Sequence, residues 1–286
     1  MRVRKAVITA AGYGTRFLPV TRSQPKEMLP LVNKPLIQYA VEEAINSGIE
    51  QVIMVTAMGK RAIEDYFDRS FELEYFLERK GQAVLLKQMQ ELSALVDICY
   101  VRQKEQLGLG NAIFTARDIV GNEPFAVILP DDIIDSVVPC LKSMVNVYER
   151  YGAGVLAVEK VSSEDTRKYG IIEPARVGRR VNRILSLVEK PEPARAPSRL
   201  AIVGRYVLNP EILDAIRATK PGKGGEIQLT DALEILLDRQ KLYAFTLEGT
   251  RYDTGTPLGW LKANMAMGLK SQEYGPELRK YLQKLL

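Results

Sequence analysis

The first patterned segment of the chain is an apolar run, Lys5 to Ala11 (KAVITAA). It is too short for a helix and too uniformly apolar to leave one face in water, so it is predicted to be a buried strand running into Gly12-Tyr13-Gly14. Beyond it, Leu36, Ile37, Ala40, Val41, Ala44 and Ile45 recur at the spacing of one helix face, and Gly48 supplies a stop. Further apolar runs follow at Gln51 to Thr56, Asp97 to Val101 and Phe125 to Leu129, with a helix expected from about Gly110. Strand and helix in alternation predict a parallel sheet with helices on both faces. The second half changes character. Gly154 to Val161, Gly170 to Glu173, Val181 to Glu189 and Leu200 to Leu208 are strand-like, and the turns between them leave little room for crossover helices. These read as antiparallel or mixed additions to the same sheet. Helices are expected at about Pro210 to Ala218 and Thr230 to Asp238, and another begins at Thr256-Pro257, with Thr as cap and Pro in the first turn. A short docking helix from Tyr281 to Leu286 ends the chain, and Phe71 to Leu95 reads as one long helical span, a candidate contact between copies.

Composition narrows the function more than the fold. With 286 residues, 46% hydrophobic and 26% charged, the chain fits one α/β domain with elaborations or two closely packed lobes. A net charge of +5 favours anionic partners. The densest basic run, Arg176 to Arg183, lacks interleaved aromatics and reads as the solvated turn of a hairpin, so no nucleic-acid partner is expected. The apolar run near Met1 to Ala11 is too short for an export signal, and no stretch approaches a membrane span, which predicts a cytoplasmic protein with no membrane partner. Cys99 and Cys140 sit in apolar surroundings and read as buried, reduced thiols. Histidine is absent altogether. That excludes Ser-His-Asp and Cys-His nucleophiles, His-ligated zinc and a histidine base, and leaves carboxylates, Lys, Arg, backbone amides or a metal.

Several segments carry such groups. Ala11-Gly12-Tyr13-Gly14-Thr15-Arg16 follows the first strand, where glycines let backbone amides approach a phosphate and Arg16 adds a fork of charged donors. It is neither a dinucleotide fingerprint, since Phe17 stands where the third small residue belongs, nor a Walker loop, and so a nicotinamide-dependent oxidoreductase is disfavoured. Pro25-Lys26-Glu27-Met28-Leu29-Pro30 forms a stiff, Pro-rich loop that carries Lys26. Asp131 and Asp132 end a fully apolar strand, and Asp131 is placed to hold Mg²⁺, which takes one or two carboxylates plus phosphate oxygens. Glu189-Lys190-Pro191 and Asp253-Thr254-Gly255 close two more strands. Each of these segments, taken singly, is equally a surface turn or a helix start.

Taken jointly, in this order and spacing from residue 3 to about 268, they resemble the sugar-phosphate nucleotidyltransferase family. Within it the chain is most similar to the bacterial branch that joins UTP to glucose 1-phosphate. The similarity is carried by Pro25 to Val41 (PKEMLPLVNKPLIQYAV), Phe67 to Glu74 (FDRSFELE) and Gln103 to Ala112 (QKEQLGLGNA), together with Ala201 to Leu208 (AIVGRYVL) and Gly224 to Leu233 (GGEIQLTDAL). Tyr252-Asp253-Thr254-Gly255-Thr256 departs from that branch toward its thymidylyl relatives, which leaves a sister enzyme using dTTP, or another triphosphate such as ATP or CTP, as the alternative, with a non-catalytic nucleotide-binding paralogue ranked below it. The resemblance implies a Rossmann-like domain over residues 1–286, with a nucleotide part at about 1–135, a sugar-phosphate part at about 136–255 and terminal helices at about 256–286. It also implies that Ala11, Gly12, Gly14, Thr15, Gln103 and Gly108 bind the nucleotide, and that Gly170, Glu189, Val203 and Gly204 line the sugar site. Arg16, Lys26 and Lys190 would be catalytic, Asp131 and Asp253 would hold Mg²⁺, and the protein would be a homo-oligomer, a dimer or tetramer.

Overall fold

The computed structural model describes residues 2–285. Thirteen strands are present: β1 (Lys5–Thr9), β2 (Pro30–Leu31), β3 (Lys34–Pro35), β4 (Gln51–Thr56), β5 (Asp97–Arg102), β6 (Phe125–Ile128), β7 (Asp132–Asp135), β8 (Val155–Lys160), β9 (Gly170–Gly178), β10 (Val181–Glu189), β11 (Leu200–Leu208), β12 (Tyr243–Thr246) and β13 (Thr250–Asp253). Nine form one sheet in the order β5-β4-β1-β6-β11-β8-β12-β10-β9. The strands of the first half, β5, β4, β1 and β6, are parallel, as the buried apolar runs required. From β11 onward the sheet is mixed: β11 is antiparallel to β6 and β8, while β12 lies parallel to β8 and antiparallel to β10. The far strand β9 curls back until Ile171 pairs with Ala201 of β11. A separate ribbon joins β7 to β13, with Asp132 opposite Asp253.

Alternation along each strand divides the interior into two layers. Ala6, Ile8, Val52 and Met54 point to one face, beneath α1 (Leu36–Asn46) and, further along the chain, the helix Cys140–Tyr151. Val7, Ile53, Val55 and Val127 point to the other. In chain order the remaining helices are α2 (Arg61–Phe67), α3 (Phe71–Arg79), α4 (Ala83–Ser93), α5 (Gly108–Thr115), α6 (Arg117–Val120), α7 (the Cys140–Tyr151 helix), α8 (Glu211–Ala218), α9 (Leu229–Leu237), α10 (Pro257–Lys270) and α11 (Gly275–Leu285). Helices α5, α8 and α9 cover the second face. The predicted face of α1 is buried at Leu36, Ile37, Ala40, Val41 and Ala44. Thr256 caps α10, its side chain accepting the Gly259 amide at 3.1 Å, with Pro257 in the first turn.

Several expectations need correction. The first strand stops at Thr9 rather than Ala11. Residues 71–95 form two helices, α3 and α4, with the chain turning at Gly81, whose φ of +66° lies in the left-handed region that favours glycine. The strand from Gly170 runs on to Gly178 and carries Pro174 at an irregularity in its pairing with β10, where the missing N–H costs no ladder bond. The Arg176 to Arg183 run does contain a tight hairpin turn, with Arg180 at φ +63°. Cys140 is buried but Cys99 only half-buried, and both are free. The last helix begins at Gly275, six residues before the expected start, and Met1 and Leu286 lie outside the described residues. Helix α7, with Leu141, Met144, Val145 and Tyr148 on one face, was not anticipated.

One charged side chain lies at the centre of this architecture. Arg205 on β11 is 1% exposed. It donates to Glu43 Oε2 of α1 from Nε (3.0 Å) and Nη2 (2.8 Å), and to the carbonyls of Leu129, Gly204 and Asp132 at 2.9, 2.9 and 2.7 Å. The carbonyls of Leu129 and Asp132, at the two ends of the turn after β6, thereby gain a charged donor, while that of Asp131 is taken by Thr254. Replacing one partner leaves a buried charge unmatched, so Arg205→Ala is expected to cost about 3–5 kcal/mol in urea unfolding, near the cost of breaking a buried pair.

Candidate active site

The C-terminal ends of β1, β5 and β6 open on a cavity of about 470 Å³ lined by Ala11, Gly12, Gly14, Thr15, Lys26, Gln103, Gly108, Asp131 and Glu226. All six residues predicted for the nucleotide are therefore in one place. A second hollow of about 210 Å³ is lined by Gly170, Glu189, Lys190, Val203 and Gly204, the residues predicted for the sugar phosphate, together with Asp132 and Tyr169. Leu109 and Leu129 line both, so the two cavities are halves of one cleft. A larger groove of about 560 Å³ near Arg2, Asn122, Tyr148 and Asn209 contains none of the predicted residues.

Arg16, Asp131 and Asp253 meet at Gly255. A Cβ there would lie 3.0 Å from Asp131 Oδ2, 3.0 Å from Asp253 Oδ1 and 3.6 Å from Arg16 Nη1, so only glycine leaves the three charges room to face one point. The Arg16 guanidinium also donates to the Gly255 carbonyl at 3.4 Å. The turn is tied together locally: the Thr254 amide and hydroxyl donate to the Asp131 carbonyl at 2.8 and 2.7 Å, and the Gly255 amide donates to Asp253 Oδ1 at 3.0 Å. Two converging carboxylates, with no third acidic, His or Cys group completing a cage among the described residues, suit a hard cation that takes its other ligands from phosphate and water.

Lys26 donates to Asp131 Oδ2 at 2.5 Å. Burial works to raise the Asp131 pKa, but the Lys26 charge and hydrogen bond, with Arg16 beyond, outweigh it and hold the carboxyl below its usual range. Burial likewise works to lower Lys26, and Asp131 and Glu27 outweigh it, so the ammonium is raised. Glu27, only 1% exposed, accepts from Lys60 Nζ at 2.8 Å and so pins the Pro-rich loop to the turn after β4. Burial pushes its carboxyl up against the opposing pull of Lys60 and Lys26.

Glycines shape the sugar half too. A Cβ on Gly204 would stand 2.6 Å from Asp132 Oδ2 and 2.7 Å from Leu129 Cβ, and one on Gly170 would stand 3.0 Å from Thr230 Oγ1. Gly204 sits where β11 slips register against β8, which frees its amide to donate to Asp132 Oδ2 at 2.9 Å. Glu189 pairs opposite Gly170 and accepts from Lys190 Nζ at 2.8 Å. Lys190 has φ +45°, a left-handed conformation held by its amide bond to the Tyr169 carbonyl at 3.0 Å. Sequence reasoning did not single out Glu226, Tyr169, Arg205 or Arg251. Only Arg205 carried a signal, as a charge inside the apolar run AIVGRYVL.

A Gly-rich turn, a stiff cationic loop and two carboxylates, one beyond the end of parallel strand β6 and one at the end of the β13 ribbon strand, suit the handling of phosphate beside a doubly covered α/β sheet. The family model for nucleotidyl transferases matches residues 5–269, and the chain belongs to that family. It is 51% identical over 285 residues to the UTP–glucose-1-phosphate uridylyltransferase of Staphylococcus epidermidis, covering 99% of each chain. Among solved structures it resembles a UDP-glucose pyrophosphorylase complexed with UDP-glucose, with 45% identity, a TM-score of 0.86 and coverage of 94% of this chain and all of that one. It also resembles the UTP-bound UGPase of Acinetobacter baumannii, with 39% identity, a TM-score of 0.92 and coverage of 99% and 100%.

The Lys26–Asp131 pair links this site to acid stability. Because the folded Asp131 pKa lies below its unfolded value, the pair contributes fully above the usual carboxylate pKa of about 3.9 and is lost as pH falls through the depressed value. Lys26→Met is therefore expected to lower urea stability at pH 7 by about 1.5–3 kcal/mol, the range for a hydrogen bond to a charged group. The gap from wild type should close as the pH is taken below about 3.9.

Proposed function

We propose that this nucleotidyltransferase forms UDP-glucose and pyrophosphate from UTP and glucose 1-phosphate. The observation that carries the reading is the single cleft whose two halves share Leu109 and Leu129, with the predicted nucleotide residues on one side and Glu189, Lys190 and Gly204 on the other. The names of the full-length relatives favour uridylyl over thymidylyl transfer. A sugar-phosphate oxygen attacks the α-phosphorus of UTP in line; the new O–P bond forms as the bond to pyrophosphate breaks. The attacking phosphate has a second pKa near 6 and is ionised at neutral pH, so a chain without histidine needs no general base.

The barrier is repulsion between polyanions, about 1 kcal/mol per pair of unit charges 4 Å apart in water and roughly 4 at an effective dielectric of 20. Arg16 and Lys26 hold the triphosphate and Lys190 the sugar phosphate, offsetting that repulsion where it grows. Gln103, only 4% exposed, offers its amide to the uracil edge beside Ala11, Gly12 and Gly108, while Gly14 and Thr15 approach the phosphates. Glu189 accepts from sugar hydroxyls beside Gly170 and Val203. Asp131 and Asp253 are the residues to hold Mg²⁺, which would add fixed positive charge at the phosphates.

Residues 1–135 serve the nucleotide, 136–255 the sugar phosphate and 256–286 the terminal helices of one domain. Among the described residues no helix is long and apolar enough to cross a membrane, and we read the enzyme as cytoplasmic. We read it also as a homo-oligomer, because α3 and α4 leave Phe71, Tyr75, Phe76 and Val84 exposed together; light scattering should give a multiple of the chain mass for wild type and a smaller mass for Phe76→Glu.

Pyrophosphate release across four nucleoside triphosphates and several sugar 1-phosphates tests the reading, with UTP and glucose 1-phosphate expected to be fastest. Asp131→Asn should cut kcat by about two orders of magnitude or more, the scale seen when one charge-stabilising group is removed. Lys190→Ala should raise the KM for glucose 1-phosphate far more than UTP binding. An unchanged kcat for the first, or an unchanged KM and kcat for the second, would remove that residue from the machinery.

A further inference from the structure

Arg251, on β13 two residues before Asp253, is a second guanidinium largely hidden from solvent, with 7% of its side chain exposed. Its Nε donates to Asp132 Oδ1 at 2.6 Å and its Nη1 to Glu159 Oε2 at 3.2 Å and to the Tyr169 hydroxyl at 3.4 Å, while Nη2 stands 4.0 Å from Asp253 Oδ2. The guanidinium also lies over the Tyr169 ring, 5.1 Å from its centre. One cation therefore serves three carboxylates and a phenol, and two of those groups, Asp132 and Tyr169, reach onward into the two halves of the cleft. Asp132 spends its other oxygen on the Gly204 amide at 2.9 Å, in the sugar half. The Tyr169 hydroxyl donates to Asp253 Oδ2 at 3.5 Å, in the carboxylate pair, while the Tyr169 carbonyl receives the Lys190 amide.

We propose that Arg251 is a positioning residue that couples the two halves of the cleft, setting the Gly204 amide and the Lys190 turn on one side and the Asp253 carboxylate on the other from a single planar fork. The inference rests on the proposed reaction and adds to it a residue that touches neither substrate. A guanidinium suits the task because its donors lie in a fixed plane and are aimed at several acceptors at once; an ammonium of the same charge has one centre and cannot hold both directions. Tyr169 is the hinge of the arrangement, since its hydroxyl accepts from Arg251 and donates to Asp253 while its backbone supports Lys190. Without the fork, Gly204 and Asp253 would each keep their local hydrogen bonds but lose their common reference.

The test uses the full chain, with steady-state rates measured as glucose 1-phosphate and Mg²⁺ are varied separately at saturating UTP. Arg251→Lys keeps the charge and is expected to raise both the KM for glucose 1-phosphate and the Mg²⁺ concentration for half-maximal rate, each about tenfold, which corresponds to about 1.4 kcal/mol. Tyr169→Phe removes only the linking hydroxyl and should move both quantities in the same direction by a smaller factor. The double variant should do little more than Arg251→Lys alone, because the two act through one contact. A purely structural role would lower the thermal midpoint and leave both quantities unmoved; that result overturns the proposal, as does a shift confined to one of them. A wild-type chain that releases no pyrophosphate from UTP and glucose 1-phosphate overturns the underlying reaction as well, whereas an active wild type with unmoved variants overturns the coupling alone.

Discussion

Two carboxylates stand side by side at the end of a strand that is buried on both faces, and the rest of the site follows from keeping them there. Asp131 and Asp132 follow the apolar run FAVIL and Pro130, partly buried, and each repels the other. The chain resolves this by giving each its own cation from a different direction: Lys26 from the loop after β1, and Arg251 from the ribbon strand β13. Successive residues point to opposite sides, so one carboxylate faces the nucleotide cavity and its neighbour the sugar hollow. The two halves of the cleft are thus separated by the width of one residue.

That division explains why distant parts of the sequence converge at one turn. Lys26 needs a stiff support, and Glu27 supplies it by burying its own carboxylate against Lys60. On the Asp132 side Arg205 donates to the Asp132 carbonyl and adds a charged donor to those of Leu129 and Gly204, its guanidinium backed by Glu43. Buried ion pairs of this kind add little net stability over an apolar core of the same shape, because desolvation offsets the attraction. Their value here lies in position: a planar donor fixed on three sides defines where a carboxylate or amide must sit, and hydrophobic packing cannot supply that direction.

How much of this the sequence revealed depends on whether a feature is local. The strands Gln51–Thr56, Val181–Glu189 and Leu200–Leu208 were legible to the residue, because apolar runs between turn residues carry their own signal. The Thr256 cap was legible for the same reason. The break between α3 and α4 rests on one glycine in a left-handed turn, which an amphipathic pattern running through it conceals. Helix α7 had an apolar face at Leu141, Met144, Val145 and Tyr148 that went unread. Arg251 and Tyr169 were invisible for a different reason: each acts through residues far away in sequence, brought near by a four-residue ribbon whose pairing of Asp253 with Asp132 no local pattern announces. The motif residues stand out because a family resemblance marks them in the sequence. The groups behind them were missed because their chemistry is defined only by the fold.

The absence of histidine gives this arrangement its logic. An enzyme that must move a proton can tolerate some play in its framework if the donor's pKa is matched to the task. A chain that relies on fixed charges has no such freedom, since Coulomb energy depends directly on how close the charges sit and how little water lies between them. The structure accordingly invests in rigidity around empty space. Gly170, Gly204 and Gly255 each stand where a single methyl group would meet a site side chain at 3.0 Å or less, so the cleft is shaped by side chains that are missing as much as by those present. Around those gaps the charged groups are tethered: Arg16 at the Gly255 carbonyl, Lys26 on Asp131, and Lys190 both by its amide to Tyr169 and by its ammonium on Glu189. Two polyanions entering such a cleft meet positive charge that is already in place, and the work of bringing it there was done when the chain folded.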